Sequence, residues 1–281
     1  MFWRGKFEDI DSAPDHLMLH RAAIKKMAAI VRLSHFSSIR LSTMADAPVG
    51  SGLGTSSTVV VSIIQGLSEL LGVPLGEYDL AHLAFEVERI DCKLSGGGQD
   101  HYAAAFGGVN FMEFYADNRV IVNPLRIRDS TMFDLEASLV LYFTGVSRQS
   151  AEIINSQMNN VLNSDIDAIG AMHDVKKEAV SMKEALLFGD MEKLADSLKS
   201  GWAAKKRMAF SISNNDIDTV YDSALASGAL AGKISGAGGS GFMMFIVDPS
   251  KRIQVIRCLE KAGGQVFPCG FSDRGAIAWR S

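Results

Sequence analysis

The chain has 281 residues, 28 Lys and Arg against 32 Asp and Glu, a net charge of −4 and 47% hydrophobic residues. That length suits one large domain or two ordinary ones, and the composition is that of a folded globular protein. With no basic tail or global positive field, nucleic acid and anionic membranes are excluded as partners, and no apolar run reaches the length of a bilayer span. Cys92, Cys258 and Cys269 form no CxxC pair and no zinc-ligand spacing. Free thiols in a reducing cytoplasm are therefore expected. The start, Met1-Phe-Trp-Arg-Gly-Lys6, lacks the apolar stretch of a signal peptide.

Residues 16–34 have helical spacing, with Leu19, Ala23, Met27 and Ile30 on one stripe. A short strand is expected around Ile39–Thr43. The turn Pro48–Gly54 leads into an apolar helix that ends near Leu71, punctuated by Pro74 and Gly76. A helix over Tyr78–Asp91, a turn at Ser95–Gly98 and a helix over Gln99–Phe106 follow. Strands are expected at Val109–Phe114, Arg119–Val122 and Ser138–Phe143. Helices should occupy about 149–161, 165–188, 190–210 and 215–227. A strand at Phe242–Val247, a helix over about 249–262 and a strand at Gln265–Phe271 close the chain. Strands and helices without regular βαβ alternation indicate an α+β class. The division falls near residue 145, giving domains 1–145 and 146–281.

Three segments carry chemistry. In Pro48-Val-Gly-Ser-Gly-Leu-Gly-Thr-Ser-Ser57, alternate glycines let backbone N–H groups approach a ligand, and the following helix N-terminus adds unpaired donors. The hydroxyls of Thr55, Ser56 and Ser57 can cap that helix or reach a phosphate or metal. No Lys follows Gly54, so this is not a Walker A loop, and the dinucleotide GxGxxG spacing is absent. An ordinary capped glycine turn would look the same. Second, Glu88 and Asp100 flank the glycine turn Ser95–Gly98, where two carboxylates could serve one phosphate site; acidic helix ends are more often merely solvated. Third, Lys233-Ile-Ser-Gly-Ala-Gly-Gly-Ser-Gly-Phe242 has four glycines within six residues, which suits close backbone approach or a tight bend. Ser147, Arg148 and Ser150 start a helix in a way that suits a sugar or phosphate. Lys205-Lys206-Arg207 is a basic cluster that also reads as a wet helix face.

These phrases resemble the GHMP kinases. PVGSGLGTSS is similar to their second motif, with Thr55 in place of a serine, and KISGAGGSGF to their third, with Ser240 at a small-residue position. Glu88…Gly96-Gly-Gly-Gln-Asp100-His-Tyr…Gly107-Gly108 resembles the sugar-kinase branch, and the order of phrases from about Asp46 to Trp279 is similar to its heptose-phosphate members. The resemblance implies a two-domain fold, with a mixed α/β N-terminal domain and a ferredoxin-like C-terminal one. It implies ATP held by Pro48, Gly50, Ser51, Gly52, Leu53, Gly54, Thr55, Ser56 and Ser57, with Gly236, Gly238 and Gly239. It implies Mg²⁺ on Ser56 and Glu88, Asp100 as catalytic base, and substrate contacts at Gly97, Gly98, Gln99 and Arg148. Glu86 and Asp91 are alternatives to Glu88, and His101 has no assigned role.

The implied reaction moves the γ-phosphate of ATP to the anomeric hydroxyl of D-glycero-D-manno-heptose 7-phosphate, giving the 1,7-bisphosphate. Fucose, galactose or N-acetylhexosamine as acceptor remain alternatives. Such kinases ordinarily begin with a strand-rich segment carrying a first motif, and nothing like it precedes Asp46. The N-terminal domain is therefore expected to be truncated at its start, which leaves a non-catalytic nucleotide- or sugar-binding remnant as a further alternative. The partners expected are small molecules, with a homodimer left open.

Overall fold

The computed structural model describes residues 3–33, 38–48, 50–145 and 150–280. They group into two compact units, one of Met1–Asp46, Gly54–Asn123 and Ser272–Ser281, the other of Ala47–Leu53 and Pro124–Phe271. The expected cut at residue 145 thus lies inside the second unit. Among the described residues no helix is long and apolar enough to cross a membrane.

The first unit is helical, with one hairpin. Helix α1 (Met18–Ile30) buries Ala23 and Met27 of the expected stripe together with Ala28, while Ile30 at its end stays exposed. Helix α2 (Thr55–Leu71) buries Val60, Ile63, Ile64 and Leu67 against it. It stops at Gly72, whose left-handed backbone (φ 68°) closes the last turn. Helix α3 (Glu77–Phe85) runs on into a π-helical turn, Glu86–Asp91. Helix α4 (Gln99–Phe106) precedes the hairpin of β1 (Asn110–Phe114) and β2 (Val120–Pro124). The strand expected at Ile39–Thr43 does not form. Ile39 and Leu41 alternate as a strand would, but no neighbouring strand among the described residues supplies a hydrogen-bonded partner.

The second unit is a four-stranded antiparallel sheet with helices. Its elements are α5 (Asp129–Ser138), β3 (Leu139–Phe143), α6 (Ser150–Leu162), α7 (Ile166–Phe188), α8 (Met191–Met208), α9 (Asn215–Ala226), β4 (Ala229–Ile234), β5 (Phe242–Val247), α10 (Arg252–Lys261) and β6 (Gln265–Phe267). The strand order β4-β5-β3-β6, with helices between β3 and β4 and between β5 and β6, is ferredoxin-like. β3 pairs with β5 in the register Leu139↔Ile246 to Phe143↔Phe242. Trp202, Tyr142, Phe245, Met243, Ile212 and Ile234 fill the core beneath that sheet. α7 and α8 form a hairpin, and Asp190 caps α8 by accepting from Lys193 N–H at 2.9 Å. α5 and β4 were not expected from the sequence.

Candidate active site

In the first unit, the start of α2, the π-helical turn and α4 bring Ser56, Ser57, Glu88, Arg89, Asp100 and His101 together. The Glu88 carboxylate is 2% exposed. It accepts from the Ser56 hydroxyl at Oε1 and from the Ser57 hydroxyl at Oε2, each at 2.6 Å. His101 Nε2 lies 2.6 Å from Oε2, and an Arg89 guanidinium nitrogen lies 3.5 Å from Oε1. Burial alone would raise the Glu88 carboxyl. The close contacts of His101, Ser56 and Ser57, with the Arg89 charge, outweigh it and hold the carboxyl at about 2.

Glu88 continues the buried face of α3: it lies four residues after Ala84 and seven after Ala81, both fully buried. Glu86 and Asp91 instead face Lys26, at 2.8 and 3.6 Å. The alternatives Glu86 and Asp91 are thus engaged elsewhere. Arg89 ties the glycine turn to this helix: its Nε donates to Gly97 O and its Nη1 to Ser95 O, both at 3.2 Å.

Asp100 sits in the first turn of α4 and packs against the end of the first glycine loop. A Cβ on Gly54 would lie 2.9 Å from Asp100 Cγ, so only glycine lets the carboxylate approach the start of α2 this closely. Gly54 also has φ 73°, a conformation that costs other residues strain. Burial raises the Asp100 carboxyl above the ordinary 3.8, and Glu88 adds to this; the charges of His101 and Arg89 oppose it. Two carboxylates in one cluster thus diverge: Glu88 is held strongly anionic, and Asp100 is made more basic.

Of the remaining predicted residues, Gly98 precedes α4 with Phe85 and Phe114 beside it, and Gln99 is exposed at the helix start. Thr55 Oγ1 is buried without a hydrogen-bond partner among the described residues. Arg148 and Ser147 lie outside the described residues. His101 and Arg89 were given no role by the sequence. Their adjacency to Asp100 and Glu88 was the signal available.

In the second unit, residues of the first and third glycine loops touch. Phe242 N–H donates to Ser51 O at 3.0 Å. A Cβ on Gly52 would lie 2.8 Å from Ser235 O, and one on Gly236 would lie 2.8 Å from Gly52 O. Gly236 and Gly52 therefore permit backbone-to-backbone packing that any side chain would prevent. Gly239 N–H donates to Ile212 O at 2.8 Å, and Gly238 packs on the same residue. The Ser51 hydroxyl is buried without a hydrogen-bond partner among the described residues. Leu53 and Gly54 join this part of the loop covalently to α2.

Residues 19–108 match the GHMP kinases N terminal domain, and residues 182–265 match the GHMP kinases C terminal model. A D-glycero-alpha-D-manno-heptose 7-phosphate kinase of Campylobacter jejuni is 46% identical over 243 residues, 86% of this chain and 71% of that protein. The crystal structure of a D-glycero-D-manno-heptose 1-phosphate kinase from Bacteriodes thetaiotaomicron is 40% identical, with a TM-score of 0.79, and the match covers 96% of this chain and 76% of that one. The galactokinase of Lactococcus lactis, complexed with galactose, shares the fold at 16% identity, with a TM-score of 0.68 and coverage of 95% and 78%. The chain belongs to the GHMP kinase family. Within that family it is a sugar kinase.

Proposed function

We propose that this kinase transfers the γ-phosphate of ATP to the anomeric hydroxyl of D-glycero-D-manno-heptose 7-phosphate, giving the 1,7-bisphosphate. The observation that carries the reading is the pairing of two unlike carboxylates at the start of α2: Glu88, bound by two hydroxyls, and Asp100, half-buried against Gly54. The names of two relatives agree on a heptose phosphate and differ in the carbon named, 7 in one and 1 in the other. The anomeric hydroxyl is chosen on chemistry. It is more acidic than an ordinary alcohol, so one carboxylate of raised basicity suffices to take its proton.

In this reading, backbone N–H groups of Gly50–Ser57 hold the polyphosphate of ATP, with Pro48 shaping the entry to the loop. Gly236 supports that loop by packing on Gly52, and Gly238 and Gly239 shape the third loop behind it by packing on Ile212, Ile153 and Ser211. Gly97, Gly98, Gln99 and Arg148 line the acceptor. Asp100 accepts the acceptor hydroxyl's proton at a carboxylate oxygen. Ser56 and Glu88 offer a hydroxyl and a carboxylate side by side, the hard oxygen donors that Mg²⁺ takes together with substrate phosphates. Among the described residues no cluster of three acidic, His or Cys ligands competes for that role. Bound there, Mg²⁺ would neutralise phosphate charge. A cytoplasmic setting fits the three free cysteines, Cys92, Cys258 and Cys269.

The test is ADP release with Mg-ATP over a panel of heptose 7-phosphate, free heptose, fucose, galactose and N-acetylhexosamine. Turnover with the heptose phosphate at least tenfold above the others is expected. Preferential turnover of an unphosphorylated sugar would reassign the acceptor, and ATP binding with no turnover of any sugar would reduce the chain to a binding remnant.

A further inference from the structure

The basic run Lys205-Lys206-Arg207 at the end of α8 is not one wet face. Lys206 Nζ pairs with Asp218 Oδ1 at 3.1 Å, and Arg207 pairs with Asp174. Lys205 does neither. It lies three residues after Trp202, which is 2% exposed, so it follows the face that α8 turns toward the core. Its ammonium donates to the Gly236 carbonyl oxygen of the third glycine loop. Lys233, at the end of β4 and three residues before Gly236, is near enough for its charge to act on Lys205.

Neither ammonium has a carboxylate partner among the described residues. Burial lowers the Lys205 amine to about 8, with repulsion from Lys233 adding to it, and burial likewise lowers that of Lys233. Two half-buried like charges with no carboxylate partner among the described residues are a cost to the fold. The neighbouring pairs of Lys206 and Arg207 show that carboxylates are available to this helix for its other cations. The site lies where Gly236 packs on Gly52, and so beside the first glycine loop.

We propose that Lys205 and Lys233 form a two-lysine anion site that binds a phosphate group at the junction of the two glycine loops. The inference rests on the kinase reading above and deepens it by naming the cations that meet a phosphate. Each ammonium supplies a point charge with donors to spare, and a phosphate dianion would satisfy both. That phosphate belongs either to ATP or to the sugar phosphate, and the two sources separate experimentally.

Equilibrium affinities for ATP and for heptose 7-phosphate are measured separately by calorimetry on the wild type, K205M, K233M, K205R and K233R. Each Met variant should weaken at least one ligand tenfold or more, and each Arg variant should recover most of that loss. Weakening of ATP alone assigns the site to the nucleotide, and weakening of the sugar phosphate alone assigns it to the acceptor. Melting temperature is the second readout. K233M removes a charge that has no carboxylate partner among the described residues, so it should melt at or above the wild type. Unchanged affinities for both ligands in both Met variants would overturn the proposal. So would a lower melting temperature in K233M with ligand affinities intact, since the lysine would then be structural. If the wild type binds ATP but does not bind or turn over heptose 7-phosphate, the acceptor assignment fails, and the ATP measurements still decide the role of the lysines.

Discussion

Replacing Glu88 with glutamine should change how the stability of the protein depends on pH, by an amount that follows from the geometry. The carboxyl stands at about 2 in the folded chain, against an ordinary value of 4.5. At about 1.4 kcal/mol per pH unit, that depression contributes about 3 kcal/mol to folding at neutral pH. The folded value is the lower one, so the contribution is complete above 4.5 and is lost as pH falls toward 2. By pH 3 about 2 kcal/mol of it should be gone. Glutamine keeps one acceptor for the Ser56 or Ser57 hydroxyl and removes the titration. Urea unfolding of wild type and E88Q, followed by circular dichroism at pH 7, 5, 4 and 3, isolates the effect as a difference between curves. The stability difference between the two proteins should shift by about 2 kcal/mol from pH 7 to pH 3, with the wild type losing more. Parallel curves would refute the claim that Ser56, Ser57, His101 and Arg89 hold this carboxylate anionic.

D100N should lower kcat by about 10²- to 10⁴-fold, the usual range for a lost general base, while leaving ATP affinity within about twofold. Wild-type turnover in that variant would remove Asp100 from its role. Because burial raises the Asp100 carboxyl above 3.8, activity should fall on the acid side at a pH above that value, as the base becomes protonated. An acid limb at or below 3.8 would contradict the assignment. G54A introduces a Cβ 2.9 Å from Asp100 Cγ and imposes φ 73° on a residue with a side chain. It should cost about 1–2 kcal/mol in stability and lower kcat together with it. An unchanged melting temperature with full turnover would mean that Asp100 and α2 tolerate separation.

Much of the fold was legible in the sequence. The α1 and α2 stripes, the α4 boundaries, the long helices after residue 149 and the glycine loops all follow from local periodicity and punctuation. β4 was not legible because Ala229-Leu-Ala-Gly-Lys-Ile234 lacks the β-branched alternation that marks a strand. It is held as one by pairing with β5, where Gly232 lies under the Phe245 ring. α5 is short and charged and has no apolar stripe of its own, so only its packing against β5 marks it. At the site, the residue types and spacing pointed to Glu88 and Asp100, and the choice among Glu86, Glu88 and Asp91 follows from helical spacing, since Glu88 lies four residues after the buried Ala84 while Glu86 and Asp91 pair with Lys26. The sequence could not reveal that Ala47–Leu53 joins the second unit and Ser272–Ser281 the first. Those groupings rest on long-range hydrogen bonds such as Phe242 N–H to Ser51 O and Gly108 N–H to Ser272 O.

The position of the new phosphate on the sugar tests the account most directly. Heptose 7-phosphate incubated with Mg-ATP and the protein, then followed by phosphorus NMR with proton coupling, should give ADP and a second sugar phosphorus coupled to the anomeric proton, and D100N should form it far more slowly. A phosphorus coupled to any other ring proton, or no second sugar phosphorus while ATP remains bound, would contradict transfer to the anomeric oxygen by this pair of carboxylates.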